Sequence, residues 1–144
     1  MYEPIRTRSV HSTMAGSSSD FPHRSREEEL DIQLAGHLAA LLAVTDELRG
    51  LAPSAELDEG AERLAQQVAR LRGGLPPVRS TASTASTGTA RPADPAVLHR
   101  RAHALAGRAL VVAASRADTA AAILAAQQMD VHTAALEPRE LASR

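Results

Sequence analysis

An all-α fold, an antiparallel helical hairpin followed by a long C-terminal helix, is what three features of this sequence predict. Apolar residues recur at spacings of three and four in three separate stretches, the period of one helix face. Each stretch opens on a residue suited to capping a helix, and the first two end at glycine or proline. Between Pro95 and Pro138 there is no further proline and a single glycine, Gly107, in a run dominated by Ala, Leu and Arg.

The first helix is predicted over residues 25–49. Ser25 and Glu28 form an S-x-x-E capping box, and Glu27, Glu28 and Glu29 place negative charge at the positive end of the helix dipole. Leu30, Leu34, Leu38, Leu41 or Leu42, Thr45 and Leu48 then trace one apolar stripe that ends near Arg49 and Gly50. Pro53 breaks the chain and Ser54 caps a second helix, 54–72, whose seam Leu57, Ala61, Leu64, Val68 and Leu71 steps alternately by four and three. Gly73 and Gly74 stop it. The two helices are predicted to pack antiparallel.

Residues 75–93 read as a flexible linker, a near-repeat of Ser-Thr-Ala preceded by Pro76 and Pro77. Such a coil spans about 25 Å, enough for the next helix to run in either direction. The linker hydroxyls are also candidates for phosphorylation, with the arginines downstream as partners for the added charge. Asp94 as N-cap and Pro95 at the first helical position mark the third start, and the predicted helix runs to residue 136. Ser115, Asp118 and Thr119 offer capping patterns that would split it into two and give a four-helix bundle; the lack of Gly or Pro there favours one continuous helix. Residues 1–24 and 137–144 are predicted to be tails, the first disordered. Met14 is an alternative start to Met1.

Composition narrows the function. The chain of 144 residues is ordinarily sized for one domain, yet aromatics make up only 1%, Tyr2 and Phe21. Alanine buries little surface, so the core is expected to be thin and self-association to compensate. A net charge of −1 argues against nucleic acid or an anionic membrane as the main partner. With no cysteine there are no disulfides, thiolate ligands or thiol nucleophiles. Neither a secretory signal nor a membrane span is apparent, which makes the cytoplasm the expected location. All sixteen basic residues are arginine, with no lysine or asparagine, a usage that points to a high-GC bacterial source.

Chemistry-bearing patterns are few. His99 and His103, four apart on a helix, would share a face and could ligate one metal ion, with His37 or His132 as further ligands from other segments. The pair lacks the glutamate of H-E-x-x-H and any nearby carboxylate or cysteine, and a solvated helix start beside Arg100 and Arg101 accounts for it as well. Arg100, Arg101, Arg108 and Arg116 give the third helix a basic character, but no aromatic stacking residues accompany them. No catalytic motif or cofactor signature stands out.

The expected role is therefore a non-enzymatic interaction or scaffold protein acting as a homo-oligomer, with itself and another protein as partners. The alternative is a small-ligand or metal-binding bundle using His99 and His103. For the homo-oligomer, a continuous third helix of ~63 Å would overhang the shorter helices. A two-fold antiparallel pairing of two such helices would bury Leu105, Leu110, Val111, Val112 and Leu124 in a combined core and interface.

Overall fold

The computed structural model describes residues 24–79 and 93–142, with side chains to residue 137. The predicted disordered tail (apart from Arg24), most of the Ser/Thr linker and both candidate start residues lie outside them. Every regular element among the described residues is an α-helix: α1 (Arg26–Leu51), α2 (Ala55–Leu71), α3 (Pro95–Arg116) and α4 (Thr119–Ala142).

The predicted starts form as their chemistry requires. Ser25 Oγ accepts from the Glu28 amide at 3.1 Å while the Glu28 carboxylate accepts from the Ser25 amide at 2.9 Å. Ser54 caps α2 through the Leu57 amide, and Asp94 caps α3 through Ala96 with Pro95 in the first turn. Gly73 and Gly74 close α2 with positive φ, and the Gly74 amide reaches back to Ala69 O at 2.6 Å.

The continuous third helix does not form. It breaks at Ala117, which takes the left-handed conformation at φ 59, and Asp118 then caps α4 by accepting from the Ala121 amide. The Asp118 amide donates back to Ala113 O at 2.9 Å, closing α3 with the bonding of a Schellman motif in which alanine occupies the place usual for glycine. A single alanine in the left-handed region costs about 1–2 kcal/mol. Folding α4 back along α3 buries Ala121, Leu124 and Ala125, which offsets that cost. The far end differs too: α4 runs on to Ala142, through Pro138, where a stop at 136 and a tail were expected.

Polar ties show the order of the helices. Arg49 on α1 meets Asp58 on α2 at 2.8 Å, Asp31 at the start of α1 meets Arg116 at the end of α3 at 3.1 Å, and Arg70 near the end of α2 meets Asp118 at the α3–α4 turn at 2.8 Å. Around the bundle the order is α1, α2, α4, α3, with each neighbouring pair antiparallel. The helices α2 and α3 are thus parallel and occupy opposite corners. The helix α3 therefore starts at the end of the bundle opposite the end of α2, which settles the direction left open by the linker's length. At the end of the described segment 24–79, Arg79 is pinned to α1 and donates twice to Asp46, each bond 2.8 Å.

The core is asymmetric. Its largest fully buried apolar side chains are Leu34, Leu38, Leu41, Leu42 and Leu48 from α1 with Leu64 and Val68 from α2. From α3 and α4 come chiefly Ala102, Ala106, Ala109, Ala113, Ala121 and Ala125. Where α2 crosses α4, Gly60 sits so close to Gln128 that an added Cβ would lie 3.0 Å from its Nε2.

Candidate functional site

The break at Ala117 decides where the histidines go. With α4 folded back on α3, His99 and His132 meet across the hairpin, Nδ1 to Nδ1 at 2.9 Å with ring centroids 5.1 Å apart. His132 has no exposed surface, and its Nε2 lacks a hydrogen-bond partner among the described residues. Burial first, then the neighbouring His99 and His103, lowers its pKa from the ordinary 6.5 to about 4. The imidazole is neutral at physiological pH. A bond between two Nδ1 atoms needs one N–H and one lone pair. If His132 donates, only a lone pair is left at its buried Nε2; if it accepts, an orphan N–H is buried there, the rarer kind of defect.

His99 and His103 both stand on the first turns of α3. His103 lies half-buried one turn further along, on a shallow groove with Arg100, Thr133, Leu136 and Glu137. His37 stands on α1, nearer the opposite end of the bundle. No group of three His, Cys, Asp or Glu side chains among the described residues is arranged to hold a metal. The His99–His132 geometry is that of a hydrogen bond: two nitrogens on one tetrahedral zinc, at bonds of 2.0–2.1 Å, stand ~3.4 Å apart with both lone pairs aimed at the ion.

Two carboxylates are similarly turned to structural use. Asp46 is buried; burial alone would raise its pKa, but hydrogen bonds from Arg79 and Arg49 outweigh that and hold it below the ordinary carboxylate value. At Asp118 burial is outweighed by the bonds from Arg70 and the Ala121 amide, again lowering the pKa. Both carboxylates fasten loops to the bundle.

The outward side of α1 and α3 is different in character. A shallow groove runs between them, lined by Ala40, Ala43, Val44 and Glu47 on one bank and Arg101, Ala104, Leu105 and Arg108 on the other. On α3 the residues Val97, Arg101, Ala104, Arg108, Val111 and Ser115 follow a 4-3-4-3-4 spacing and are all exposed, Val111 by 66%. No helix among the described residues covers them.

The residues expected at a homodimer interface divide accordingly. Leu124 is buried within one chain, while Leu105, Leu110 and Val112 are partly buried against the core. Val111 alone of the five is fully outward. The overhang that motivated the pairing of third helices is absent, because the surplus length is spent on α4. Sequence reasoning missed the α1–α3 face, although the heptad spacing of Arg101 and Arg108 was its visible trace. His132 was named as a further ligand, but its pairing with His99 depends on a turn that carries no glycine.

Comparison with protein-family models, with curated proteins and with solved structures found no match to this chain. No helix among the described residues is long and apolar enough to cross a membrane.

Proposed function

We propose that this protein is a non-enzymatic helical interaction module that works as a homo-oligomer, with its own chain as first partner and a further protein as a possible second. The observation that carries this reading is the α1–α3 face, uncovered among the described residues, where valine and alanine alternate with arginine at heptad spacing on a solvent-facing helix. The carboxyl and imidazole groups whose ionisation is shifted among the described residues, Asp46, Asp118 and His132, support it as well, since each is directed to a structural partner or into the core. In this reading the exposed arginines of α3 serve protein contacts, so binding to nucleic acid should be absent even at low salt. Sedimentation or light scattering over a hundredfold range of concentration tests the proposal. The expected mass is about twice the 15.2 kDa of the chain. A monodisperse monomer throughout would overturn it.

The proximity of His99 to His132 favours a second reading, a ligand-binding or metal-binding bundle in which the rings part to admit an ion. Metal analysis of the purified protein separates the two. Stoichiometric zinc, nickel or copper that disappears in both His99→Ala and His132→Ala would establish the second reading.

A further inference from the structure

The α1–α3 face carries enough pattern to say how a second copy sits on it. Along α1 the residues Gln33, His37, Ala40, Val44, Glu47 and Leu51 step by 4-3-4-3-4, with Gln33, Glu47 and Leu51 exposed, His37 and Ala40 half-buried and Val44 buried, and along α3 the exposed Val97, Arg101, Ala104, Arg108, Val111 and Ser115 step in the same way. The two helices are antiparallel and their levels are fixed at one end by Asp31 with Arg116 and in the middle by the groove residues. Leu51 therefore stands level with Val97, Glu47 with Arg101, Ala43 or Val44 with Ala104, and Ala40 with Arg108.

We infer that the protein dimerises through this face about a two-fold axis parallel to the bundle, each α1 lying over the partner's α3 with Glu47 against the partner's Arg101. This rests on the homo-oligomer reading above and adds the surface and the symmetry. A closed two-fold contact on this face has two simple forms. With the axis across the bundle, α3 meets α3 antiparallel. Arg101 and Arg108 straddle the centre of the stripe at Ala104, so each arginine would face the other arginine of the partner. Like charges placed together oppose that form. With the axis along the bundle, levels are preserved and α1 meets α3: Leu51 lies on the partner's Val97, Glu47 on the partner's Arg101, and the small side chains Ala40, Ala43 and Ala104 let the helices approach closely. Glu47, Arg101 and Arg108 make no ion pair within the chain among the described residues, so all three are available to the partner.

Charge reversal tests the register. Glu47→Arg and Arg101→Glu, both at exposed positions, should each weaken dimerisation at least tenfold in sedimentation equilibrium while far-UV circular dichroism stays unchanged. The double exchange Glu47→Arg with Arg101→Glu should restore it to within a few-fold of the parent. A parent that is monomeric removes the homo-oligomer reading and this inference with it. A dimer indifferent to both single reversals overturns this face alone, and single reversals that the double exchange does not rescue overturn the register. Because the chain has no cysteine, a second measurement is direct. Leu51→Cys and Val97→Cys proteins, mixed and oxidised, should give a cross-linked heterodimer in excess of either homodimer; equal or lesser yield of the heterodimer overturns the axis along the bundle.

Discussion

In the hairpin of α1 and α2 the buried positions are filled by Leu34, Leu38, Leu41, Leu42, Leu48, Leu57, Leu64 and Val68; in the hairpin of α3 and α4 they are filled mainly by Ala102, Ala106, Ala109, Ala113, Ala121 and Ala125. One half supplies the volume of the core, and the other supplies a flat surface that accepts it. A leucine side chain contributes about 1.5–3 kcal/mol on burial and an alanine far less, so the two halves have unequal tolerance. The first should suffer from loss of volume and the second from gain. Each half also buries two polar side chains, Thr45 and Asp46 in the first and Gln128 and His132 in the second, and His132 is the one ring among the largest fully buried side chains.

The largest effect should come from removing volume where it is supplied. Leu38→Ala, at a position with no exposed surface, is expected to lower stability by about 3–4 kcal/mol in chemical denaturation. A loss under about 1 kcal/mol would show that the leucine half is not the packed half.

Acid should act on the other hairpin. His132 has a folded pKa of about 4 against 6.5 when unfolded, so the unfolded chain takes up the proton first. Stability from its neutral burial is fully present above pH 6.5 and is lost as pH falls toward 4, to a total of about 3 kcal/mol. Asp46 and Asp118, with lowered pKa values, keep their contribution above the ordinary carboxylate pKa and lose it only as pH falls through their folded values. The decline between pH 6.5 and 4 should therefore flatten in His132→Leu and persist in Asp46→Asn. Denaturation curves at stepped pH measure both.

Adding volume to the alanine half should cost somewhat less than the leucine loss. Ala106→Leu, at a fully buried site, is expected to destabilise by about 1–3 kcal/mol through overpacking. If thermal melting shows it neutral, the alanine surface is not in close contact and the division between the halves fails.

The smallest expected effect lies at the turn that creates the second hairpin. Ala117→Gly relieves a left-handed alanine, and because glycine is the more flexible in the unfolded chain the net gain should be below about 1 kcal/mol. A loss of stability would mean that the left-handed alanine is not a source of strain.

Local signals in the sequence were sufficient wherever the deciding contacts lie within a few residues. Ser25 with Glu28, Ser54 with Leu57, and Asp94 with Ala96 cap helices through groups two or three positions apart, and Gly73 and Gly74 end α2 because glycine adopts positive φ freely. The antiparallel α1–α2 hairpin was legible for the same reason, two strong apolar stripes joined by a short breaker. The candidate site was much less so. His99 and His103 form a visible i, i+4 pair, but the ring that meets His99 belongs to His132, thirty-three positions away.

The all-helical class, the first hairpin and the starts of α1, α2 and α3 were thus determined by the sequence alone, since periodicity and capping are properties of short segments. The break at Ala117, the direction of α3, the pairing of His99 with His132 and the exposed α1–α3 face were decided by tertiary structure. An alanine enters the left-handed region only when the burial gained by folding α4 onto α3 exceeds the local cost, and no local rule contains that balance.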